Sequence, residues 1–441
     1  MKKFLKGIGI FVATIALVYL IVFVVNLIVA STLRTYIDTF DPVDYSDNRI
    51  VPVKESDHYS ITSDGDIKIM HITDIHIGGG FWSYKNDKKS IYEMISMMQV
   101  EKPDLVILGG DNTYCVPGPL YNGGFTFNNG NTAKTVLHIF EHEKVYFSTV
   151  FGNHDTESMD YYSRSAVGKI YMRPEYEYCI FEQEFEDTSC PTIPSVTNQL
   201  IKLKNSDGSI RKLLILIDTN AYKSESFMDS VKWNYDIIHD EQIEWAKNEI
   251  IRLSEEEGLP KGTYLKSLLI GHIPIGEYRT AHDILIDTKL DADGNILSFE
   301  RKPDQEDVYL VDGVWGEKDI CIGGYKDDDK TPNEKDNLFE VLTTELGSME
   351  LMLCGHDHLN NAAVYYKGAV LAYGYSVDNE AYGKTMREYG RQRGATVLTV
   401  TSDGSFKREL KNAYLDYGVD TEKFCHVILD ADKNADEVRP K

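Results

Sequence analysis

Apolar runs that end in short polar clusters recur along this chain of 441 residues. Residues 145–151 form one such run, which predicts a buried strand and leads into Gly152-Asn153-His154-Asp155. Four other apolar runs also predict strands and end in the same way. The clusters that follow them are Asp74-Ile-His76, Gly109-Gly-Asp111-Asn112, Gly271-His272 and Gly355-His356-Asp357-His358. Because functional side chains favour loops at strand ends, we expect the five clusters to share one site.

Segments with helical spacing of apolar residues alternate with these strands. The predicted helices are residues 89–100, 132–143, 240–257 and 335–346. Other apolar segments, separated by turn residues, predict hairpins. These segments are residues 197–204 with 210–218, and 362–373, 395–400 and 406–410 near the end. The alternation of strands and helices indicates the α/β class.

Two long segments interrupt this alternation. Residues 156–196 are rich in tyrosine and are predicted to be an irregular loop or cap, and residues 276–334 are predicted to be an acidic, turn-rich insertion. We expect both to border the site. Within the insertion, Asp291-Ala-Asp-Gly-Asn295 is similar to a calcium-binding loop. Its glycine and Glu300 stand two positions too early for that loop, so the segment is interpreted as a hairpin turn.

The N-terminus carries an uncharged run from residue 7 to residue 33, which is 27 residues long. About 20 apolar residues span a bilayer, whereas the apolar region of a cleaved secretory signal is usually ~7–15 residues long. We therefore favour an uncleaved signal anchor over a cleaved signal, for which Val29-Ala-Ser31 offers the small-residue exit. Lys2, Lys3 and Lys6 precede the run, so the N-terminus is expected in the cytoplasm and the body of the protein on the extracytoplasmic side. The lipid bilayer is thus an expected partner through residues 7–33.

The charge balance restricts the other partners. The net charge is −24, although the first 34 residues hold four basic and no acidic side chains. An acidic body argues against a nucleic-acid-binding surface, which needs clustered Lys and Arg. A phosphate-binding site in this chain would need local positive charge, and a bound metal would supply it.

The six cysteines contain no Cys-x-x-Cys pair, which argues against a zinc–thiolate site. Cys354 lies in an apolar strand and is predicted to be a core residue. Cys179 and Cys190 flank an irregular stretch and could pair in an oxidising compartment, but the sequence does not fix their connectivity.

The five clusters offer carboxylate, amide and imidazole ligands without thiolate. Such sets suit Mn, Fe or Zn, because imidazole favours transition metals. One carboxylate with ligands on either side could bridge two metals ~3.5–4 Å apart, a pair that clamps a phosphoryl group.

The motif series resembles that of the calcineurin-like metallophosphoesterases. Asp74-x-His76, Gly110-Asp111, Gly152-Asn-His-Asp155, Gly271-His272 and Gly355-His-x-His358 occur in the order found in that family. The sequences around Gly271 and Gly355 are similar to those of a subgroup related to the short purple-acid-phosphatase-like proteins. The resemblance implies a four-layer α/β/β/α sandwich with the site at the strand ends, here preceded by one N-terminal transmembrane helix.

The resemblance also implies a role for each residue of the site. Asp74, His76 and His358 would bind the first metal, Asn153, His272 and His356 would bind the second, and Asp111 would bridge them. The cofactors would be two divalent or mixed-valence transition-metal ions, Mn, Fe or Zn. His154 would act as general acid toward the leaving oxygen or stabilise the transition state, and Asp155 would orient it.

Several residues near the motifs need a separate interpretation. Asp111-Asn-Thr-Tyr114 matches the Gly-Asp-x-x-Tyr motif of purple acid phosphatases, whose tyrosine binds ferric iron. Their first motif lacks the histidine found here at His76, so Tyr114 is interpreted as a wall residue. His71 is predicted to be a core histidine, and Arg164 and Arg279 are predicted to lie on the surface.

The resemblance divides the chain into four parts. They are residues 1–34, the cytoplasmic N-terminus and transmembrane signal anchor; 35–66, a linker and edge strand; 67–425, the catalytic domain with its insertion at 276–334; and 426–441, an acidic tail. The hypothesis is a membrane-anchored phosphoesterase that uses a metal-bound hydroxide, with phosphomonoesters favoured. The alternatives are a phosphodiesterase or nucleotide pyrophosphatase of the same fold, and a non-catalytic scaffold that binds a partner. The sequence leaves the native metals, the substrate and the oligomeric state open.

Overall fold

The computed structural model describes residues 2–46, 49–115, 123–188, 194–224, 228–229, 232–292, 296–317, 320–324, 335–382 and 393–419. Three predictions lie at least partly outside these residues. They concern the pairing of Cys179 with Cys190, the turn at residues 291–295 and the acidic tail at 426–441.

Helices and strands alternate along the described chain. The α-helices are α1 (Lys2–Ile37), α2 (Tyr84–Glu101), α3 (Asn129–Glu143), α4 (Arg164–Tyr171), α5 (Asp240–Glu256) and α6 (Gly276–Leu285), and a π-helix covers Glu340–Glu345. The strands are β1 (Val53–Lys54), β2 (Tyr59–Thr62), β3 (Ile67–Ile72), β4 (Leu105–Gly109), β5 (Phe147–Val150), β6 (Phe185–Asp187), β7 (Ser195–Lys204), β8 (Ile210–Leu216), β9 (Ser267–Ile270), β10 (Ile286–Leu290), β11 (Ile296–Arg301), β12 (Val308–Asp312), β13 (Met349–Cys354), β14 (Ala363–Tyr366), β15 (Ala369–Tyr373), β16 (Gly394–Val400) and β17 (Phe406–Asn412).

The strands form two main sheets. The larger sheet has the order β1-β2-β7-β8-β9-β13-β15-β14-β12, with β6 paired to β7, and the smaller sheet has the order β17-β16-β3-β4-β5. Strands β3, β4 and β5 are parallel, and so are β8, β9, β13 and β15. Parallel neighbours bring their carboxyl ends to one edge, which is where the five polar clusters follow.

The pattern of β3 shows why these strands are mostly apolar. Ile67 and Ile69 belong to a core cluster shared by the two sheets, whereas Met70 and Ile72 belong to a cluster shared with helices. Successive side chains of a strand point to opposite faces, so a strand covered on both sides is apolar at most positions, and Lys68 and His71 are the exceptions in β3. Burial of each such side chain stabilises the fold by ~1.5–3 kcal/mol.

Three large core clusters account for most of the packing, beside a small fourth cluster around Tyr222 and Tyr235. The cluster between the sheets includes Leu105 of the smaller sheet and Leu214 of the larger one. A second cluster joins the larger sheet to α5 and α6, for example through Ile250. A third joins the smaller sheet to α1 through α4, for example through Leu33 and Val136. The predicted mixed α/β class is therefore confirmed.

Several segments differ from their predictions. Residues 156–196 are not irregular throughout, because they contain α4 and β6. Residues 276–334 contain α6, the β10–β11 hairpin and β12, and β12 pairs with β14 at the edge of the larger sheet. The helix predicted at residues 335–346 is a π-helix over the shorter range Glu340–Glu345.

Helix α1 is long and apolar enough to cross a membrane, although a signal sequence near an N-terminus passes the same test. Its two ends differ in their surroundings. Residues 6–20 are exposed, whereas Ala30, Leu33 and Ile37 are fully buried. Leu33 and Ile37 pack in the core cluster that also holds residues of α2 and α3. The last turns of α1 are therefore part of the globular body.

Candidate metal centre

The predicted site residues come from the carboxyl ends of five strands in both sheets. Asp74, His76, Asp111 and Asn153 follow strands of the smaller sheet, and His272, His356 and His358 follow strands of the larger one. The structure brings Asp74, His76, Asp111 and His358 into one group whose possible ligand atoms lie within 4.8 Å of one another. Asp111, His272 and His356 form a second such group. We call these the first and second ligand groups, and Asp111 belongs to both.

The Asp111 carboxylate is the point where the groups meet. Its Oδ2 lies 3.4 Å from Nε2 of His76 and 3.1 Å from Nε2 of His272. Its Oδ1 accepts the backbone N–H of His154 at 2.7 Å. Burial alone would raise the pKa of Asp111, but the neighbouring His272 and His154 hold it well below its usual value. The carboxylate is thus ionised and faces both groups.

Several ligand atoms are buried without hydrogen-bond partners among the described residues. They are Asp111 Oδ2, Asn153 Oδ1, His272 Nε2 and both ring nitrogens of His76. An unpaired buried polar atom costs of the order of 1–3 kcal/mol, so a cluster of them needs a compensating partner. Because the atoms converge from several loops and combine carboxylate, amide and imidazole donors, transition-metal ions fit this cluster.

The backbone at four of these residues adopts the left-handed conformation. The φ angles are 53° at Asp74, 51° at His76, 51° at Asp111 and 73° at His356. Non-glycine residues in such conformations cost of the order of 1–3 kcal/mol each and concentrate at functional sites. The stability of the surrounding fold therefore offsets the cost of turning these side chains toward a common point.

Two glycines allow the loops to approach each other. A Cβ at Gly110, where φ is 93°, would lie 2.5 Å from Nδ1 of His272, and a Cβ at Gly152 would lie 2.1 Å from Oδ1 of Asp111. Neither neighbour could move away without leaving its ligand group. The glycines of the predicted motifs are thus required by the close packing of the site.

Asp378 supports the first group and was missed by the sequence reasoning. It is fully buried, and its carboxylate oxygens lie 3.0 Å from Nδ1 of His358 and 3.5 Å from Nδ1 of His76. A carboxylate behind a ligating histidine fixes the ring and raises its basicity. Asp378 follows β15 by five residues, so its position after an apolar strand was the available signal.

Neutral groups support the second ligand group. Nδ1 of His272 lies 2.9 Å from the carbonyl oxygen of Gly109, which fixes the orientation of the ring. The amide nitrogen of Asn153 donates to the Tyr222 hydroxyl at 3.3 Å, and its oxygen is buried without a hydrogen-bond partner among the described residues. The ring of Tyr235 meets that of His356 edge-on, with 4.8 Å between centroids.

His154 stands beside the ligand groups and is held by Glu157. Its Nδ1 lies 2.5 Å from Oε1 of Glu157, and its side chain is 25% exposed. The role of Asp155 in orienting this ring stays a prediction. Asp155 accepts the backbone N–H groups of Gly152 at 2.8 Å and Thr113 at 3.0 Å, so it shapes the loop that carries His154.

Tyr114 lies between two histidines of the site. Its ring centroid is 5.0 Å from that of His76 and 4.8 Å from that of His154, both in edge-on geometry. Such contacts are those of a wall residue. The assignment of Tyr114 as a wall residue stays a prediction.

The prediction that Arg164 lies on the surface is wrong. The residue is 2% exposed and pairs with Asp218, with 2.6 Å between Nη2 and Oδ1. Its guanidinium also donates to the carbonyl oxygens of Phe151 and Gly152, both at 2.9 Å. Arg164 therefore braces the loop that carries the predicted ligand Asn153. Arg279 is also partly buried and donates to the carbonyl of Ile320, whereas His71 is fully buried, as predicted.

Comparison with known proteins gives a family match and several relatives. Residues 67–360 match the family model described as calcineurin-like phosphoesterase. Over 316 residues the chain is 25% identical to "Phosphatase DCR2" of Saccharomyces cerevisiae. The aligned region covers 68% of this chain and 45% of the yeast protein. This chain thus spans less than half of that relative.

Two other comparisons cover most of both chains. "Probable inactive purple acid phosphatase 29" of Arabidopsis thaliana is 22% identical over 358 residues, which is 76% of this chain and 77% of the relative. Among solved structures, a dimetal phosphatase from Danio rerio aligns with a TM-score of 0.45 and 11% identity, covering 79% of this chain and 96% of that one.

Proposed function

Because this chain belongs to the calcineurin-like phosphoesterase family, we propose that it hydrolyses phosphoesters at a dinuclear metal centre, with phosphomonoesters favoured. The observation that carries the proposal is the position of Asp111. Its carboxylate belongs to two buried ligand groups at once. A shared carboxylate of this kind is what holds two metal ions close enough to act on one phosphoryl group.

The ligand assignment follows the two groups. The first ion would be held by Asp74, His76, His358 and the shared Asp111, and the second by Asn153, His272, His356 and Asp111. Ions of Mn, Fe or Zn bound there would polarise the phosphoryl group and neutralise the charge that develops on it. The metal-ligand roles of these residues rest on the family match and on their convergence.

His154 is proposed to protonate the leaving oxygen. Glu157 engages its Nδ1, which leaves Nε2 to deliver a proton. The backbone N–H of His154 is bonded to Asp111, so the ring stays in register with the metal ligands. A positioned acid of this kind contributes ~10²–10⁴-fold to the rate.

The N-terminal helix is proposed to be an uncleaved membrane anchor, with a cytoplasmic N-terminus and an extracytoplasmic catalytic domain. Burial of Ala30, Leu33 and Ile37 supports retention of the helix. Cleavage after the small-residue exit at residues 29–31 would cut within the part of α1 that packs on the domain. The lysines that precede the apolar run support the orientation.

The fold is proposed to be the four-layer sandwich of the family. The three core clusters support this arrangement, because one lies between the sheets and the other two join each sheet to its own helices. In this arrangement α5 and α6 form one outer layer and α1 through α4 form the other.

The direct test is hydrolysis of nitrophenyl phosphate by the full chain in detergent. Added Mn should support turnover, and a chelator should stop it. Asp111→Asn should lower metal content, whereas the matched variant His154→Ala should keep the metal and lose rate. The reverse pattern would overturn the roles of these residues.

A non-catalytic scaffold is the second candidate, since two Arabidopsis relatives are named as probable inactive purple acid phosphatases. Against it, every predicted ligand is present and the groups assemble. A panel of phosphomonoesters, phosphodiesters and nucleotides separates the candidates. Metal-replete protein without turnover on the whole panel would favour the scaffold, and activity confined to diesters or nucleotides would favour the phosphodiesterase or pyrophosphatase alternative.

A further inference from the structure

Helix α1 meets the globular body near the beginnings of α2 and α3. The side chain of Asn26 donates to the carbonyl of Phe125 at 2.9 Å and accepts the backbone N–H of Phe81 at 3.1 Å. Phe81 precedes α2 by three residues, and Phe125 precedes α3 by four.

The last turn of α1 and the residues after it contact the opposite ends of the same helices. Asp38 lies 2.7 Å from Nε2 of His138 in the second half of α3. Gln99, near the end of α2, donates to the carbonyl of Asp41 at 2.7 Å. Helix α1 therefore runs in the same direction as α2 and α3.

This direction places the free end of α1 beside the metal centre. Helices α2 and α3 begin at the sheet edge where β3 and β4 end, because each connects parallel strands. That edge carries Asp74, Asp111 and the other ligands. The exposed part of α1, residues 6–20, thus projects from the same edge as the metal centre.

The length of the projecting part leaves no spacer between the domain and a bilayer. Residues 7–25 precede the Asn26 contact and, at 1.5 Å per residue, span about 28 Å. The hydrocarbon core of a bilayer is about 30 Å thick. A helix that crosses it must therefore bring the loops around Asn26 down to the membrane interface.

Those loops present exposed aromatic side chains. Phe81 and Trp82 are 60% and 53% exposed, and the hydroxyl of Tyr161 contacts that of Tyr19 on α1. The hydrogen bond from the backbone N–H of Phe81 to Asn26 holds the loop that carries Phe81 and Trp82 against α1. Aromatic residues are enriched at membrane interfaces, and exposed apolar patches usually mark a partner. Membrane contact through aromatic rings also suits a chain with a net charge of −24, because an acidic protein is not attracted to anionic lipid headgroups.

The same loops lead directly into the metal centre. Trp82 follows His76 by six residues and Tyr161 follows His154 by seven, so even fully extended chain keeps them within about 21 Å and 25 Å. The aromatic tips and the reacting groups thus share one edge of the molecule.

We propose that the metal centre opens onto the outer leaflet, with Phe81 and Trp82 seated in the interface and Tyr161, through its contact with Tyr19, about 10 Å deeper along α1, and that the substrate is a phosphoester carried by a membrane lipid. The substrate class rests on the proposed hydrolytic function and on the anchor. The seating of the aromatic face rests on the anchor and on the geometry of α1.

Tryptophan quenching tests the seating without any turnover. The full chain is reconstituted in phosphatidylcholine vesicles whose acyl chains carry bromine close to the headgroup. Bromine should quench part of the tryptophan emission, and Trp82→Phe should remove that part. The control Trp245→Phe, on α5, should keep it. A quenched fraction that survives Trp82→Phe would overturn the seating of this face.

A pair of phosphoesters tests the substrate class. One is nitrophenyl phosphate, and the other carries a hexadecyl chain on the same ring and partitions into the vesicles. The specificity ratio kcat/KM should favour the long-chain ester at least tenfold, and Phe81→Ser with Trp82→Ser should reduce that ratio to about one. The control Val100→Ser, which is 60% exposed at the far end of α2, should leave it unchanged.

The outcomes separate the two proposals. A ratio near one in the unmodified chain would overturn the lipid substrate while the hydrolytic function stands. If the metal-loaded, unmodified protein hydrolyses neither ester, the hydrolytic function is overturned and the substrate class with it. The quenching experiment would then still test whether the aromatic side chains are seated in the membrane interface.

Discussion

The two ligand groups differ in what stands behind their histidines. In the first group, Nδ1 of His358 and Nδ1 of His76 both face the carboxylate of Asp378. In the second group, Nδ1 of His272 faces the backbone carbonyl of Gly109. With Asp74 and Asp111 included, three carboxylates surround the first group. Among the described residues, the second group holds one carboxylate, the shared Asp111, and a second, Asp357, lies within 4.8 Å of a ring nitrogen of His356.

This difference predicts unequal metal affinity. Charged ligands and charged supports attract a cation more strongly than neutral ones, and loss of a supporting carboxylate typically costs 10–100-fold in affinity. The first position is therefore expected to hold its ion tightly and the second to exchange. One motif series thus forms two metal positions with different surroundings. Four substitutions test this comparison, in order of the size of the expected effect.

Asp111→Asn should have the largest effect, because the shared carboxylate serves both groups. We expect metal content to fall at both positions and kcat to fall more than about 10⁴-fold, which exceeds the upper end of the contribution of a single acid or base. Elemental analysis and nitrophenyl phosphate turnover measure the two effects, and circular dichroism checks the fold. Retention of one tightly bound equivalent would show that the groups do not depend on a common bridge.

Asp378→Asn should affect the first group alone. The metal affinity of that position should fall about 10–100-fold while the second position is unchanged, since Asp378 contacts only His358 and His76 among the ligands. A metal titration followed by calorimetry resolves the two steps. Tyr222→Phe, which alters the contact of Asn153, is the matched change at the second group. Equal losses at both positions after Asp378→Asn would contradict the comparison.

Glu157→Gln should spare both groups and lower the rate. Glu157 engages His154, and an amide would hold the protonated ring less firmly. We expect kcat to fall about tenfold, a part of the ~10²–10⁴-fold contribution of a general acid, with metal content unchanged. The loss should grow for esters with poor leaving groups, which need protonation most. A loss that is independent of the leaving group would argue that Glu157 serves only to shape the loop.

Tyr114→Phe should have the smallest effect. As a wall residue, Tyr114 should change metal affinity at the first position less than twofold, and ferric-loaded protein should show no tyrosinate charge-transfer band. A visible band that disappears in the variant would prove that Tyr114 is a ligand and would add a further anion to the first group.

The convergence of the predicted ligands could be foreseen from the sequence because each stands within a few residues of a strand end. Strand β13, for example, reads as an apolar run, and His356 and His358 follow it at once. Because the histidines are next to the strand in the sequence, their position at its end can be seen without the structure. The same reasoning correctly predicted the α/β class from the alternation of strands and helices.

The supporting residues were missed because the role of each one depends on a partner that is distant in the chain. Asp378 meets His76 across 302 positions, and its own neighbourhood resembles an ordinary loop. Arg164 was expected on the surface, since a lone arginine usually lies there. Its partner Asp218 stands 54 residues away and becomes its neighbour only when β8 completes the larger sheet.

The division of the predicted ligands between the two sheets has a consequence for the stability and abundance of the protein. Asp74 and Asp111 belong to one sheet and His272 and His358 to the other, so an ion bound between them acts as a removable crosslink of the fold. Free ion at 1,000 times its dissociation constant would add about 4 kcal/mol to the unfolding free energy. Metal starvation would then lower the melting temperature and increase proteolysis, and the abundance of the protein would follow the metal supply of its compartment.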